Sequence, residues 1–157
     1  MVQIRLGGPD DVEAAVAVYE RSNEERRHGD WPNRAERIEE VTARLREPEG
    51  WFLVASDGDT PVAMAAAVPS RANDGAGAVI PGGLFLGLVF VLPERWGEGI
   101  GGAIMDAVLA EAKRRGYSRV TLWTHEDNVR SHRLYRRRGF SPTGRIQAGE
   151  GEWVRDL

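Results

Sequence analysis

The stretch that decides the fold is Val89-Phe90-Val91-Leu92-Pro93-Glu94-Arg95-Trp96-Gly97-Glu98-Gly99-Ile100-Gly101-Gly102. It closes an apolar run that begins at Leu84, the mark of a central strand buried on both faces. Pro93 has no N–H with which to continue a ladder. Glycines then open a helix, with Ile100, Ile104, Ala107 and Val108 on one face of Ile100–Arg115. The first N–H groups of a helix have no partner within it, and the helix dipole adds partial positive charge there. Glycines let a ligand approach those groups closely. Strand, turn and helix together make an anion site suited to a phosphate or pyrophosphate. The plainer reading is a turn that only packs a helix on a sheet. Four glycines within residues 97–102 speak against it.

A rival ligand has to be weighed. Gly97, Gly99 and Gly102 match G-x-G-x-x-G, and Glu126 lies near the distance expected of a ribose-binding acid. A dinucleotide loop, however, follows its strand directly and begins a series of βαβ units. Here Pro93–Trp96 intervene, and a single strand–helix–strand unit is evident.

Outward from this turn the chain reads as alternating short elements. Val2–Leu6 alternates as a first strand, and Pro9 with Asp10, Asp11 and Glu13 suits a helix start. Val12, Val16 and Tyr19 continue that helix, and a polar stretch, Ser22–Pro32, follows it. Asn33 and Glu36 have capping-box spacing for a second helix with Ile38, Val41 and Leu45 on its apolar stripe. Trp51–Ala55 and Val62–Val68 flank Asp57-Gly58-Asp59-Thr60 as a hairpin. Arg71–Gly83 is predicted to be a loop. Beyond the central strand and its helix come a strand at Arg119–Thr124, a helix at Asn128–Arg138 and closing strands at Phe140–Ile146 and Glu152–Asp156. The order β-α-α-β-β-β-α-β-α-β-β predicts an α+β fold of one domain, 1–157, in which only the strand–helix–strand segment is parallel.

Composition narrows the function. Apolar residues make up 41% and charged residues 29%, an ordinary globular mix that excludes disorder. The net charge of −3 does not favour nucleic acid. No apolar run approaches the ~20 residues that span a bilayer, and Met1–Leu6 lacks the pattern of a signal peptide. The chain has no cysteine, which removes disulfides, thiolate metal sites and a cysteine nucleophile. A cytoplasmic location is expected. His28, His125 and His132 lack metal-ligand spacing, and no G-x-S-x-G elbow is present.

The glycine segment resembles motif A of the GNAT (GCN5-related N-acetyltransferase) superfamily, a strand ending in V-x-P followed by Arg/Gln-x-x-Gly-x-Gly/Ala. Val91-Leu92-Pro93 and Gly99-Ile100-Gly101 match it. A second signature, N-x-x-A-x-x-L-Y-x-x-x-G-F, is matched by Asn128, Leu134, Tyr135, Gly139 and Phe140, with Ser131 in place of Ala. Both blocks stand in order and in register, and the element order agrees over the whole chain. The resemblance implies an acyl-CoA N-acyltransferase fold, with a central mixed, mostly antiparallel sheet and about four helices. It implies acetyl-CoA as co-substrate, no metal, and direct attack of an amine on the thioester. Trp96 stands where the family has Arg or Gln, which removes a side-chain phosphate contact there; Arg95 is a candidate substitute.

The implied cofactor-binding residues are Trp96, Gly97, Glu98, Gly99, Ile100, Gly101 and Gly102 for the pyrophosphate, through backbone amides. Val89, Phe90 and Val91 hold the pantetheine in strand-like fashion, and Asn128 and Tyr135 lie alongside. On a helix those two are seven apart, about two turns, and share a face. Tyr135 is the implied general acid: a phenol of pKa ~10 can protonate a departing thiolate whose acid has pKa ~8.5. Asn128 is equally well read as a helix N-cap. The general base is open among Glu24, Glu25, Asp30, His125 and Glu126. Some relatives carry a glutamate five residues before the Asn, where this chain has Trp123. Arg130, Arg133 and Arg136–Arg138 read as a solvated basic face or a contact for the CoA 3′-phosphate. Ser22–Asn33, with its carboxylates beside Trp31, suits a cationic amine, and Arg71–Gly83 is a candidate opposite wall. The expected partner is a small-molecule or peptide amine, with a homodimer left open and neither nucleic acid nor membrane. A non-catalytic acyl-CoA sensor on the same fold is the competing function.

Overall fold

The computed structural model describes residues 1–157. In chain order the elements are β1 (Val2–Leu6), α1 (Val12–Arg27), α2 (Arg34–Leu45), β2 (Trp51–Asp57), β3 (Thr60–Arg71) and β4 (Val79–Val91). They continue with α3 (Ile100–Arg114), β5 (Arg119–His125), α4 (Val129–Arg137), β6 (Ser141–Gln147) and β7 (Glu150–Asp156). The seven strands form a mixed sheet in the order β1-β2-β3-β4-β5-β7-β6, with β4 and β5 parallel. The order of elements and the parallel pair are those predicted. The chain divides into two compact units, Met1–Ala67 with Leu88–Ile104, and Val68–Gly87 with Met105–Leu157.

In the first unit β2 pairs antiparallel with β1 and β3. A two-residue turn joins β2 to β3, with Gly58 at φ 60° where a side chain would be strained. Phe52 and Val54 of β2, Met64 and Ala66 of β3 and Leu88 of β4 alternate along their strands onto one face. There they cluster with Val12, Ala15, Val18 and Tyr19 of α1 and Val41 and Leu45 of α2. The intervening residues Leu53, Ala55, Ala63 and Ala65 are buried too, so these strands are covered on both faces. Asp11 fixes the entry to α1. Its carboxylate accepts from the Gly8 N–H at 2.8 Å and from both terminal nitrogens of Arg5. Those donors hold Asp11 down at about 2.

In the second unit Val120, Leu122 and Thr124 of β5 are buried with Trp153 of β7, Tyr135 and Phe140, and with Met105, Val108 and Leu109 of α3. β6 and β7 turn on Ala148 at φ 50° and Gly149 at φ 80°, the conformation of a two-residue hairpin.

Three expectations are corrected. α1 continues to Arg27 instead of ending before Ser22, because Ser22 and Asn23 are buried polar residues that carry the helix inward. The predicted loop Arg71–Gly83 is shorter than expected: β3 runs to Arg71 and β4 starts at Val79, so only residues 72–78 are loop, closed by Ala72 N–H to Ala78 O at 2.9 Å. Asn33 occupies the cap position of α2 but takes a left-handed conformation and makes no side-chain cap bond.

Candidate active site

β4 pairs with β5 over Gly83–Phe85 and then runs on to Val91. Leu92 donates its N–H to Val62 O at 2.9 Å, toward β3. By alternation the polar groups of Val91 and Val89 face the other edge. The Val91 carbonyl is already engaged there, since the Ser22 hydroxyl and the Trp96 indole N–H each donate to it at 2.9 Å. Trp96, at the family's Arg/Gln position, thus serves the protein's own backbone. Arg95 is not a free substitute. Its Nε donates to both oxygens of Glu98 at 2.9 Å, and Nη1 pairs with Asp57 at 3.1 Å.

Past the short 3-10 turn Pro93–Arg95, Gly97 and Gly99 sit at φ 84° and 82°. A Cβ built on either would meet nothing within 4 Å. Backbone conformation, not crowding, requires glycine at these two positions, and the space before them is open. Ala103 donates its N–H to Gly99 O at 3.1 Å in the first turn of α3, and the N–H groups of Ile100 and Gly101 stand before that bond at the open end of the helix.

Also in the first unit, Tyr19 meets Phe90 edge-on at 5.0 Å between centroids and Trp31 at 5.7 Å. Burial pushes the Tyr19 hydroxyl up, while its hydrogen bond with Asn23 and the nearby Arg27 and Arg37 pull it back. Of the carboxylates expected near Trp31, Glu24 pairs with Arg34, which also holds Glu20, and Glu25 pairs with Arg21 at 3.4 Å.

In the second unit Tyr135 is 7% exposed, with Phe140 and Trp153 at ring distances of 5.9 and 6.4 Å. Asn128 caps α4, its Oδ1 accepting from Ser131 N–H at 3.2 Å; that bond leaves its amide NH2 unused. His132 Nε2 lies 3.1 Å from the His125 carbonyl, which places the proton on that nitrogen. The basic face of α4 is partly engaged: Arg136 lies 5.0 Å from the Trp153 ring centroid, and Arg138 pairs with Asp106 at 3.2 Å. Trp123 is covered by Arg145, which also pairs with Asp74 and Glu152. No group of three or more His, Cys, Asp or Glu side chains is placed to hold a metal ion. No helix is long and apolar enough to cross a membrane.

Sequence reasoning missed Ser22 and the face Tyr19–Asn23–Arg27. The signal was their four-residue spacing, hidden by reading Ser22 onward as a loop.

The family model for the acetyltransferase (GNAT) family matches residues 10–140. The chain belongs to the GNAT family. It is similar to a mycothiol acetyltransferase of Beutenbergia cavernae, 34% identical over 63% of this chain. It spans about a third of the length of the mycothiol acetyltransferases it matches, 33% and 32%. It is also similar to an aminoglycoside N(6')-acetyltransferase type 1 of Stenotrophomonas maltophilia, 29% identical over 76% of this chain and 78% of that one. Among solved structures, the GNAT domain of S. lividans PAT overlays 99% of this chain and 90% of its own with a TM-score of 0.80 at 18% identity. The PaiA N-acetyltransferase of Thermoplasma acidophilum, crystallised with coenzyme A, overlays 100% and 99% with a TM-score of 0.76 at 15% identity. Those two likenesses establish the fold.

Proposed function

We propose that this chain transfers an acetyl group from acetyl-CoA to a primary amine by direct attack in a ternary complex, and that residues 1–157 work as one acetyltransferase domain. The observation that carries the reading is a strand that outruns its parallel partner and ends at two left-handed glycines opening onto the start of α3. This arrangement fits coenzyme A: the turn has open space for a diphosphate, and its donors are main-chain N–H groups. Backbone amides of residues 97–101 hold the pyrophosphate, the Trp96 N–H being already donated to Pro93 O at 3.2 Å. The free-edge groups of Val89 and the N–H of Val91 take the pantetheine, with Phe90, whose polar groups face β3, in the strand between them. The Val91 carbonyl is excluded from that role by its two side-chain donors. Asn128, whose cap bond leaves its amide nitrogen unused, is assigned to the same cofactor by the family resemblance.

Acetyl-CoA, when bound, supplies a thioester carbonyl open to an amine. Backbone N–H groups on the β4 edge polarise that carbonyl. Tyr135 gives its hydroxyl proton to the departing sulfur. With Glu24 and Glu25 held in ion pairs, the incoming amine loses its proton to water or to His125, Glu126 or Asp30. Nitrogen as the acceptor atom is supported by the N(6') of the aminoglycoside relative. A small-molecule or peptide amine, met in the cytoplasm, is the acceptor.

The test is release of free thiol from acetyl-CoA against a panel of amines, with Tyr135→Phe as control. Turnover by the parent that falls about 100-fold or more in kcat in the variant is expected. The paired carboxylates favour one other outcome, a sensor that binds CoA tightly and turns over no amine. That result would refute the catalytic reading.

A further inference from the structure

Tyr19, Asn23 and Arg27 succeed each other at four-residue intervals on one face of α1. The Arg27 guanidinium stands 6.0 Å from the Trp31 ring centroid, and Tyr19 joins Trp31 to Phe90 through edge-on ring contacts. Phe90 belongs to the β4 segment assigned above to the pantetheine. Two donors of this cluster, Arg27 Nε and Trp31 Nε1, are buried and have no acceptor. A buried donor left without an acceptor is costly, so native proteins seldom keep two in one cluster without a partner.

The neighbouring acids do not fill that role. Glu20 and Glu24 are taken by Arg34, Glu25 and Glu94 by Arg21, and Glu40 by Arg37. Arg34 also stacks on Trp31, at 5.1 Å, but two glutamates neutralise it. Arg27 has no ion pair. The aromatic end of α1 therefore offers donors and a cation without a counter-ion. Such a cluster suits an anionic group better than the cationic one suggested by the carboxylates near Trp31.

Building on the acetyl-transfer reading, we infer that the acceptor amine also carries a carboxylate, and that Arg27, with the Trp31 indole N–H beside it, is the anchor for that carboxylate. A carboxylate accepts two N–H bonds in the plane of a guanidinium, and such charge-assisted bonds are about twice as strong as neutral ones. The amine end then lies on the Phe90 side of Tyr19, toward the strand that holds the acyl donor. Free amino acids and short peptides belong to this class. Polyamines do not, because they meet an uncompensated positive charge.

The experiment compares matched acceptors, a set of free amino acids and dipeptides each paired with its C-terminal amide, on the parent protein, Arg27→Gln and Arg27→Lys. The parent is expected to turn over the acids with the lower KM. Arg27→Gln is expected to raise KM for the acids by about tenfold to a hundredfold, leaving kcat, KM for acetyl-CoA and KM for the amides unchanged. Arg27→Lys restores part of the difference, which a purely structural role would not. Equal treatment of acids and amides by the parent overturns the inference while leaving acetyl transfer standing. So does a uniform rise in KM for both. Parent protein that binds no CoA and releases no thiol with any acceptor overturns the acetyl-transfer reading itself, and this inference with it.

Discussion

Asp11 shows how one side chain fixes a local structure. Its carboxylate closes the turn before α1 through the Gly8 N–H and also binds Arg5, which holds its pKa at about 2 against an ordinary ~4. A depressed carboxylate stabilises the fold above its unfolded pKa, and that contribution is lost as pH falls through the folded value. Asp11→Asn is therefore expected to cost about 1 kcal/mol at neutral pH. In urea titrations the gap between parent and variant should close between pH ~4 and ~2; a gap that stays constant over that range would show that the charge is irrelevant. At this scale the sequence was legible where a motif spelled the residue out. The proposed roles of Tyr135 and Asn128 come from N-x-x-A-x-x-L-Y. Arg27 was not, because its meaning comes from which neighbouring acids are already paired, and pairing is a property of the folded surface.

The glycine turn works as an element, through backbone shape. Gly99 lies at φ 82° with open space before it, so Gly99→Ala pays left-handed strain of about 1–2 kcal/mol and pushes a methyl group into the phosphate cradle. Acetyl-CoA should bind it at least about tenfold more weakly, and calorimetry finding unchanged affinity would remove the turn from the site. Gly7 is a different case: a Cβ there would lie 2.1 Å from the Phe52 ring, against the core of the first unit. Gly7→Ala is expected to lower stability by about 1–3 kcal/mol without changing CoA affinity, measured by denaturant unfolding and calorimetry. The strand-turn-helix element was readable because an apolar run, a proline and clustered glycines carry independent signals. The length of α1 was not, since Ser22 and Asn23 are polar by composition and buried by context. The β6–β7 turn was hidden for a related reason: Ala148 adopts φ 50°, a conformation its residue type rarely signals.

For the whole molecule, folding and the proposed cofactor binding form a linked equilibrium. A ligand that binds only the native state at a hundred times its Kd adds about 2.7 kcal/mol, or about 5–10 °C in Tm for a chain of this size. Acetyl-CoA should produce that shift, and the net charge of −3 leaves no general attraction for polyanions that would imitate it. The order of elements and the parallel β4–β5 pair were legible across the full chain because hydrophobic periodicity and turn residues repeat many times over. The extent of β3 and β4 was not, because Val79 and Ile80 are exposed strand residues beside a glycine-rich loop. On the proposed reading, main-chain donors of Gly97–Gly101 grip the diphosphate of coenzyme A. Amide hydrogen exchange, resolved residue by residue with and without the nucleotide, tests it most directly. Slowed exchange at Gly97–Gly101 is the result expected. Tight binding with those amides exchanging as fast as before would contradict the account.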